Sequence, residues 1–336
     1  MPMTLYRSII RQSFIIAWRH KYLWFFGLFA TLMASNFEIE LINRFTNRQA
    51  NTIYDWQRWA DTGIFNPQSW IQLGEMARVD TWSFISLMVV LLVIIAFVIG
   101  LIWLSTVSLG ALVSNTNKAL AENGKTLTVA ERKHDTSVGF KEGRKRFWPI
   151  FGVNIIVRAI VYILAVVTIA PVAISEDLSV SMSLLYFIVF IILLAIALLM
   201  AFITKFAIAF IVLKGQSMGQ SIVSAWKLFK KNWLVSLEMT LILFALTMVV
   251  SIALIVAVML VAIPVVALYL LSVLVGSFAL FIVSLIVGLL VSLAIVIIGG
   301  SFLSVIQITA WVSLFNQLIS SKAPESKLER VFSNVM

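Results

Sequence analysis

Residues Trp233 to Leu318 read WLVSLEMTLILFALTMVVSIALIVAVMLVAIPVVALYLLSVLVGSFALFIVSLIVGLLVSLAIVIIGGSFLSVIQITAWVSLFNQL, 86 residues with a single charged side chain, Glu238. About 20 apolar residues are enough to cross the hydrocarbon layer of a bilayer. This stretch therefore holds at least two membrane spans. Pro264 breaks the run, and Gly299-Gly300 marks a kink. We read two long spans rather than four short ones, because the apolar runs elsewhere in the chain are already about 30 residues long.

Working outward, the same kind of run recurs at about Tyr22 to Ser35, Phe84 to Val113, Trp148 to Ala170 and Ser181 to Leu213. Of the 336 residues, 61% are hydrophobic and 12% charged, and the mean hydropathy is +1.04. A soluble domain carries about 25% charged residues, and one core could not hide this much apolar surface. The sequence predicts an all-α integral membrane protein, residues 1–336 forming one membrane domain with about six transmembrane helices. The basic start and short apolar run of residues 1–35 are read as an uncleaved first span, not as a signal peptide.

Charge orients the spans. Nineteen of the 25 Lys and Arg residues fall in the N-terminal segment, in 114–147, in 214–232 and in 319–336; four fall in 36–81. By the positive-inside rule the first set is cytoplasmic. Both termini then face the cytoplasm of a cell-membrane protein, 36–81 is an extracytoplasmic insert, and 319–336 is a polar tail. The net charge of +10 is explained by these loops and does not call for nucleic acid. The expected partners are membrane lipids, anionic ones on the cytoplasmic side; no protein partner can be named.

A local pattern repeats. Gln12-Ser13-Phe14-Ile15-Ile16-Ala17-Trp18-Arg19 returns as Gln220-Ser221-Ile222-Val223-Ser224-Ala225-Trp226-Lys227. Each copy leads to a second tryptophan, Trp24 or Trp233, and into a span. Ser137 to Phe140, leading to Trp148, reads as a weaker third copy. Phe14, Ala17 and Trp18 fall on one helical face, as do Ile222, Ala225 and Trp226. Such helices are expected in the membrane plane, with Trp18, Trp24, Trp148, Trp226 and Trp233 as interfacial anchors. The predicted architecture is three repeats of an in-plane amphipathic helix plus a transmembrane hairpin, at about 5–113, 136–214 and 217–318.

Ser13 to Trp24, Phe140 to Val153 and Ser221 to Val235 together resemble a broad set of bacterial multi-pass membrane proteins. They are similar to the membrane domain attached to some glycerophosphodiester phosphodiesterases. The resemblance implies a membrane fold and carries over no catalytic residue, since it does not touch the soluble phosphodiesterase domain of those proteins.

Chemistry-bearing motifs are few. With no cysteine, disulfides, thiolate nucleophiles and Cys-based metal sites are excluded. His20 and His134 have no partner at ligand spacing. Gly215-Gln216-Ser217-Met218-Gly219 matches Gly-x-Ser-x-Gly, but a span precedes it where a nucleophile elbow needs a strand. Gly124-Lys125-Thr126 resembles the end of a phosphate loop, but Ala119 replaces its first glycine. No catalytic residue, metal site or cofactor is expected. The Gly100–Gly110 and Gly276–Gly288 pairs point to close helix packing.

Three charges lie within spans. Arg158 is about 15 Å past Trp148, Lys205 about 13 Å before Lys214 and Glu238 about 7 Å past Trp233, all measured from the cytoplasmic side. With Asn154 and Gln307 as polar neighbours, they form a candidate charge cluster or a site for an anion or lipid headgroup. The function expected is that of a non-enzymatic membrane protein that binds or organises lipids or membrane partners. The alternative is a transporter of lipid or a small anionic solute.

Overall fold

The computed structural model describes residues 5–33, 67–122, 129–174 and 180–320. These form ten helices: α1 (Leu5–Arg19), α2 (Leu23–Met33), α3 (Pro67–Val79), α4 (Thr81–Ala121), α5 (Val129–Lys145), α6 (Phe147–Ile174), α7 (Val180–Lys214), α8 (Met218–Lys231), α9 (Trp233–Val275) and α10 (Phe278–Ile319). Among the described residues there is no strand. Residues 36–66 of the expected insert, the Gly124-Lys125-Thr126 stretch and the tail from 321 lie outside them.

Among the described residues five helices are long and apolar enough to cross a membrane: α4, α6, α7, α9 and α10. Of the expected first span, Tyr22 to Ser35, residues 34 and 35 lie outside the described residues. Its helix, α2, has 11 residues, about 16 Å at 1.5 Å per residue, roughly half the hydrocarbon thickness. The long C-terminal run forms two helices, as its length pattern predicts, joined at Gly276-Ser277. Pro264 does not break it: α9 continues through the proline. A proline ring forfeits the bond to the Leu260 carbonyl, and the other bonds of a 43-residue helix hold the chain in place. Gly299 and Gly300 likewise sit inside an unbroken α10.

The chain divides into two compact units, one of residues 1–34, 105–153 and 202–336, the other of residues 35–104 and 154–201. In the second unit, the α4 stretch from Ile85 to Ile99 is apolar and exposed almost throughout, the surface expected of a helix solvated by lipid. Asp80 stands before α4 and accepts from the Ser83 backbone N–H at 3.2 Å and from the Ser83 hydroxyl at 2.5 Å. These bonds hold its carboxyl below the ordinary value, the Ser83 hydroxyl contributing most.

The first unit contains a packed core. Residues 105–113 of α4, 206–211 of α7 and 309–315 of α10 are buried on every side. Side chains of α1, α2, α5 and α8 contact these helices. Their approach depends on small residues. A Cβ on Gly143 of α5 would collide with the Val107 carbonyl oxygen of α4 and lie 3.0 Å from the Ala111 nitrogen. A Cβ on Gly27 of α2 would lie 2.6 Å from the Ser301 carbonyl oxygen of α10. Gly110 and Gly288 are also at helix contacts, with Ile150 and Val265, as their pattern predicts. Gly100 has nothing within 4 Å, and Gly276 serves a turn, its φ of 69° being one that other residues rarely adopt.

α9 and α10 pair as an antiparallel hairpin in constant register. Gly299 abuts Leu254, Gly288 abuts Val265, and the Gln307 amide donates to the Thr247 hydroxyl at 2.8 Å. The turn satisfies its own backbone. Gly276 N–H bonds the Val273 carbonyl at 3.3 Å, Ser277 N–H the Ser272 carbonyl at 3.0 Å, and Leu280 N–H the Ser277 hydroxyl at 3.4 Å.

Candidate functional site

The charged residues expected within spans have identifiable partners. Glu238, near the start of α9, accepts a hydrogen bond from the hydroxyl of Tyr6. Tyr6 is buried at the N-terminal end of α1. Lys205 of α7 is exposed, with its ammonium 4.8 Å from the centre of the Trp311 ring of α10. Gln307 bonds Thr247, which fastens α10 to α9. The structure thus anchors Lys205, Glu238 and Gln307 of the first unit to three different side chains. Arg158 and Asn154 belong to the second unit, where Asn154 is buried and Arg158 is partly exposed.

Aromatic side chains supply the framework. Phe202 and Phe206 of α7 meet Trp311 at 5.8 and 5.6 Å, and Phe210 meets Phe315 at 4.9 Å. Phe229 of α8 stacks on Phe202 at 5.1 Å. A separate cluster gathers on Phe302 of α10, where Phe14, Trp18 and Trp24 all meet its ring within 5.5–6.1 Å. Lys21 lies 5.9 Å from the Trp18 ring, and the Trp24 indole donates to the Ala17 carbonyl at 2.8 Å.

The two copies of the repeated motif agree in burial at five of eight equivalent positions and differ at Phe14 and Ile222, Ile15 and Val223, and Ile16 and Ser224. Ser13 and Ser221 are fully buried, as are Ala17 and Ala225. Gln12 and Gln220, Trp18 and Trp226, and Arg19 and Lys227 are all exposed. The face turned toward the protein is the Ser-x-x-x-Ala pair, while Phe14 and Trp18 point outward with exposures of 49% and 58%. Small side chains let helix backbones approach closely, and large aromatic ones suit a lipid or interfacial surface. In the weaker third copy the corresponding Ser137 and Lys141 are exposed, and the buried pair of α5 is Gly139 and Gly143, a Gly-x-x-x-Gly spacing in an otherwise polar helix. The remaining expected anchors are exposed too, Trp148 at 76% and Trp233 at 55%, while Trp24 is part-buried on Phe302.

Several of these partners, Tyr6, Phe302 and Trp311 above all, carry no sequence signal that separates them from other apolar residues. Ser217 stands at the N-cap of α8 with extended backbone and follows α7, a helix. Among the described residues no group of three acidic or histidine side chains gathers as a metal site.

The model of a family of unknown function (DUF7544) matches residues 128–317, more than half of the chain. No curated protein and no solved structure matches. The resemblance to the membrane domain of glycerophosphodiester phosphodiesterases finds no support in these comparisons.

Proposed function

The chain belongs to this family of unknown function, so its role has to be argued from its surface, and we propose that it is a non-enzymatic multi-pass membrane protein that binds and organises anionic lipids. The observation that carries this reading is a cation held on an indole ring at the surface, Lys21 on Trp18, beside the aromatic cluster on Phe302. A cation facing hydrocarbon costs at least about 2.5–3.5 kcal/mol at the centre of a helix. An indole face recovers part of that cost, and a lipid phosphate at the same place would recover more. Arg158, partly exposed within an apolar helix, is a further candidate for such a phosphate in the second unit.

The finer architecture belongs to the same proposal. The run from Tyr22 to Ser35, which includes α2, completes six crossings, and both termini and the basic connections face the cytoplasm of the cell membrane. The matching burial of Ser13 with Ser221 and of Ala17 with Ala225 supports a repeated unit of short helix and following span. Cysteines placed at Lys141 and Ser217 should resist an impermeant maleimide added outside intact cells, and one at Glu75 should react. The reverse labelling would overturn the topology.

Lipid binding is tested by purification in mild detergent and native mass spectrometry. Lys21→Gln combined with Arg158→Gln should lower the bound phosphatidylglycerol or cardiolipin several-fold and leave neutral lipid unchanged. An unchanged anionic lipid content in the folded double variant would sink the reading.

A further inference from the structure

α9 and α10 contain 43 and 42 residues, so each is about 63 Å long at 1.5 Å per residue. The hydrocarbon layer is about 30 Å thick. Roughly half of this hairpin cannot lie in it unless the helices tilt far beyond the usual range of 0–40°.

The hairpin itself has two halves. In the constant register of α9 on α10, Phe302 lies level with Ser251. From there to the Gly276-Ser277 turn, both arms are apolar, uncharged and mostly exposed. Each of these arms has about 24 residues, or about 36 Å, enough for one bilayer. On the other side of Phe302, α10 is buried almost continuously from Ser304 to Phe315.

α1 lies along that buried half. Tyr6 reaches Glu238 at one end, and Phe14 and Trp18 reach Phe302 at the other. From Tyr6 to Trp18 is about 18 Å of helix, and from Glu238 to Ser251 about 20 Å. The match in length sets α1 beside α10, not across it.

Exposed cations accompany this half. Arg7 and Arg11 project from α1, and Lys205 sits against Trp311, nine residues or about 13 Å beyond Phe302. Hydrocarbon at that level would surround exposed charges. An aromatic cluster with an adjoining lysine is, by contrast, the usual composition of a membrane–water interface.

We infer that the polar surface of the bilayer meets the bundle at the Phe14–Trp18–Phe302 cluster, that Lys21 there faces lipid phosphate, and that the packed half formed by α1 and α10 beyond Ser304 stands outside the hydrocarbon layer. The level of the membrane needs only the chain's being a membrane protein. The assignment of Lys21 to phosphate rests on the lipid-binding proposal above. On α9, the exposed Leu241, Phe244 and Met248 lie past the inferred surface, so their depth decides the matter.

The chain has no cysteine, so single reporter sites are free of background. Leu290→Cys and Leu241→Cys, at positions 58% and 60% exposed, are labelled with the fluorophore NBD in lipid nanodiscs. Quenching is then compared between aqueous iodide and lipids brominated on the acyl chain. The label at 290 should respond to acyl bromine and little to iodide, and the label at 241 the other way round. Acyl-bromine quenching at 241 as strong as at 290 would overturn the inferred level, since the whole hairpin would then lie in hydrocarbon. Lipid content of Lys21→Gln is measured in parallel. An unchanged content with the expected depths refutes the phosphate assignment and leaves the level standing.

Discussion

Gly143→Ala tests the packing of α5 on α4 with a change of one methyl group. The added Cβ would collide with the Val107 carbonyl oxygen and stand 3.0 Å from the Ala111 nitrogen and 3.2 Å from the Val107 carbonyl carbon. All three neighbours are backbone atoms of a buried helix, so no side chain can rotate away, and α5 must retreat from α4. Overpacking of this kind costs about 1–3 kcal/mol. Replacing glycine by alanine inside a helix returns about 0.5–1 kcal/mol. The net expectation is a loss of about 0.5–2 kcal/mol in reversible unfolding by sodium dodecyl sulfate. Gly100→Ala is the internal control. Gly100 is also inside a helix, but nothing lies within 4 Å of its added Cβ, so only the gain should appear. The difference between the two variants then isolates the collision, at about 1–3 kcal/mol. Equal stability of the two variants would refute the close approach of α5 and α4.

Tyr6→Phe removes the hydroxyl that bonds Glu238; bonds to charged groups contribute about 1.5–3 kcal/mol, and unfolding of this variant should show a loss in that range, with no loss refuting the tie between α1 and α9. Trp18→Ala and Phe302→Ala, measured singly and together, should couple by about 0.5–1.5 kcal/mol, as edge-on aromatic pairs do; strict additivity would mean that the rings at 6.1 Å do not interact. Asp80, whose folded carboxyl is depressed by Ser83, adds stability above its ordinary value of 3.8 that is lost as pH falls through the lower folded value. Protection from amide exchange in the first turn of α4, taken relative to the intrinsic rate at each pH, should therefore fall in acid, and Ser83→Ala should move that onset to higher pH; an identical profile in the variant would refute the cap.

The membrane class and the long helices were legible because apolar length has no other physical meaning at 86 residues. The two-helix reading of the C-terminal run was legible in the length of the other apolar runs, but its turn was not: Gly276 reads as a packing glycine, and the break was expected at Pro264. Pro264 misleads, because the rule that proline ends helices is calibrated in water, where a freed carbonyl has solvent to turn to. Which residues of the amphipathic helices meet the bundle was not legible. In water an apolar face must be the buried one, but here lipid competes with protein for Phe14 and Trp18, and the small residues Ser13 and Ala17 decide which face meets the bundle. Among the expected site residues, Lys205 and Glu238 stand out as charges in apolar runs. Their partners Trp311 and Tyr6 do not, since one tryptophan or tyrosine among the chain's 11 and 6 carries no mark of its neighbour. The pair Gly139 and Gly143 was visible as a spacing but hidden by its setting among Lys141, Glu142 and Arg144.

The uncharged, self-bonded turn at Gly276-Ser277 also bears on how the chain is assembled. A loop that must be carried across a bilayer is retarded by each charge and each bare donor it brings. From Met239 to Ile319 there is no charged side chain, and the N–H groups of Gly276 and Ser277 already hold their partners. During biosynthesis the two apolar arms that flank this turn can therefore enter the lipid together, as a preformed pair whose tip meets little resistance.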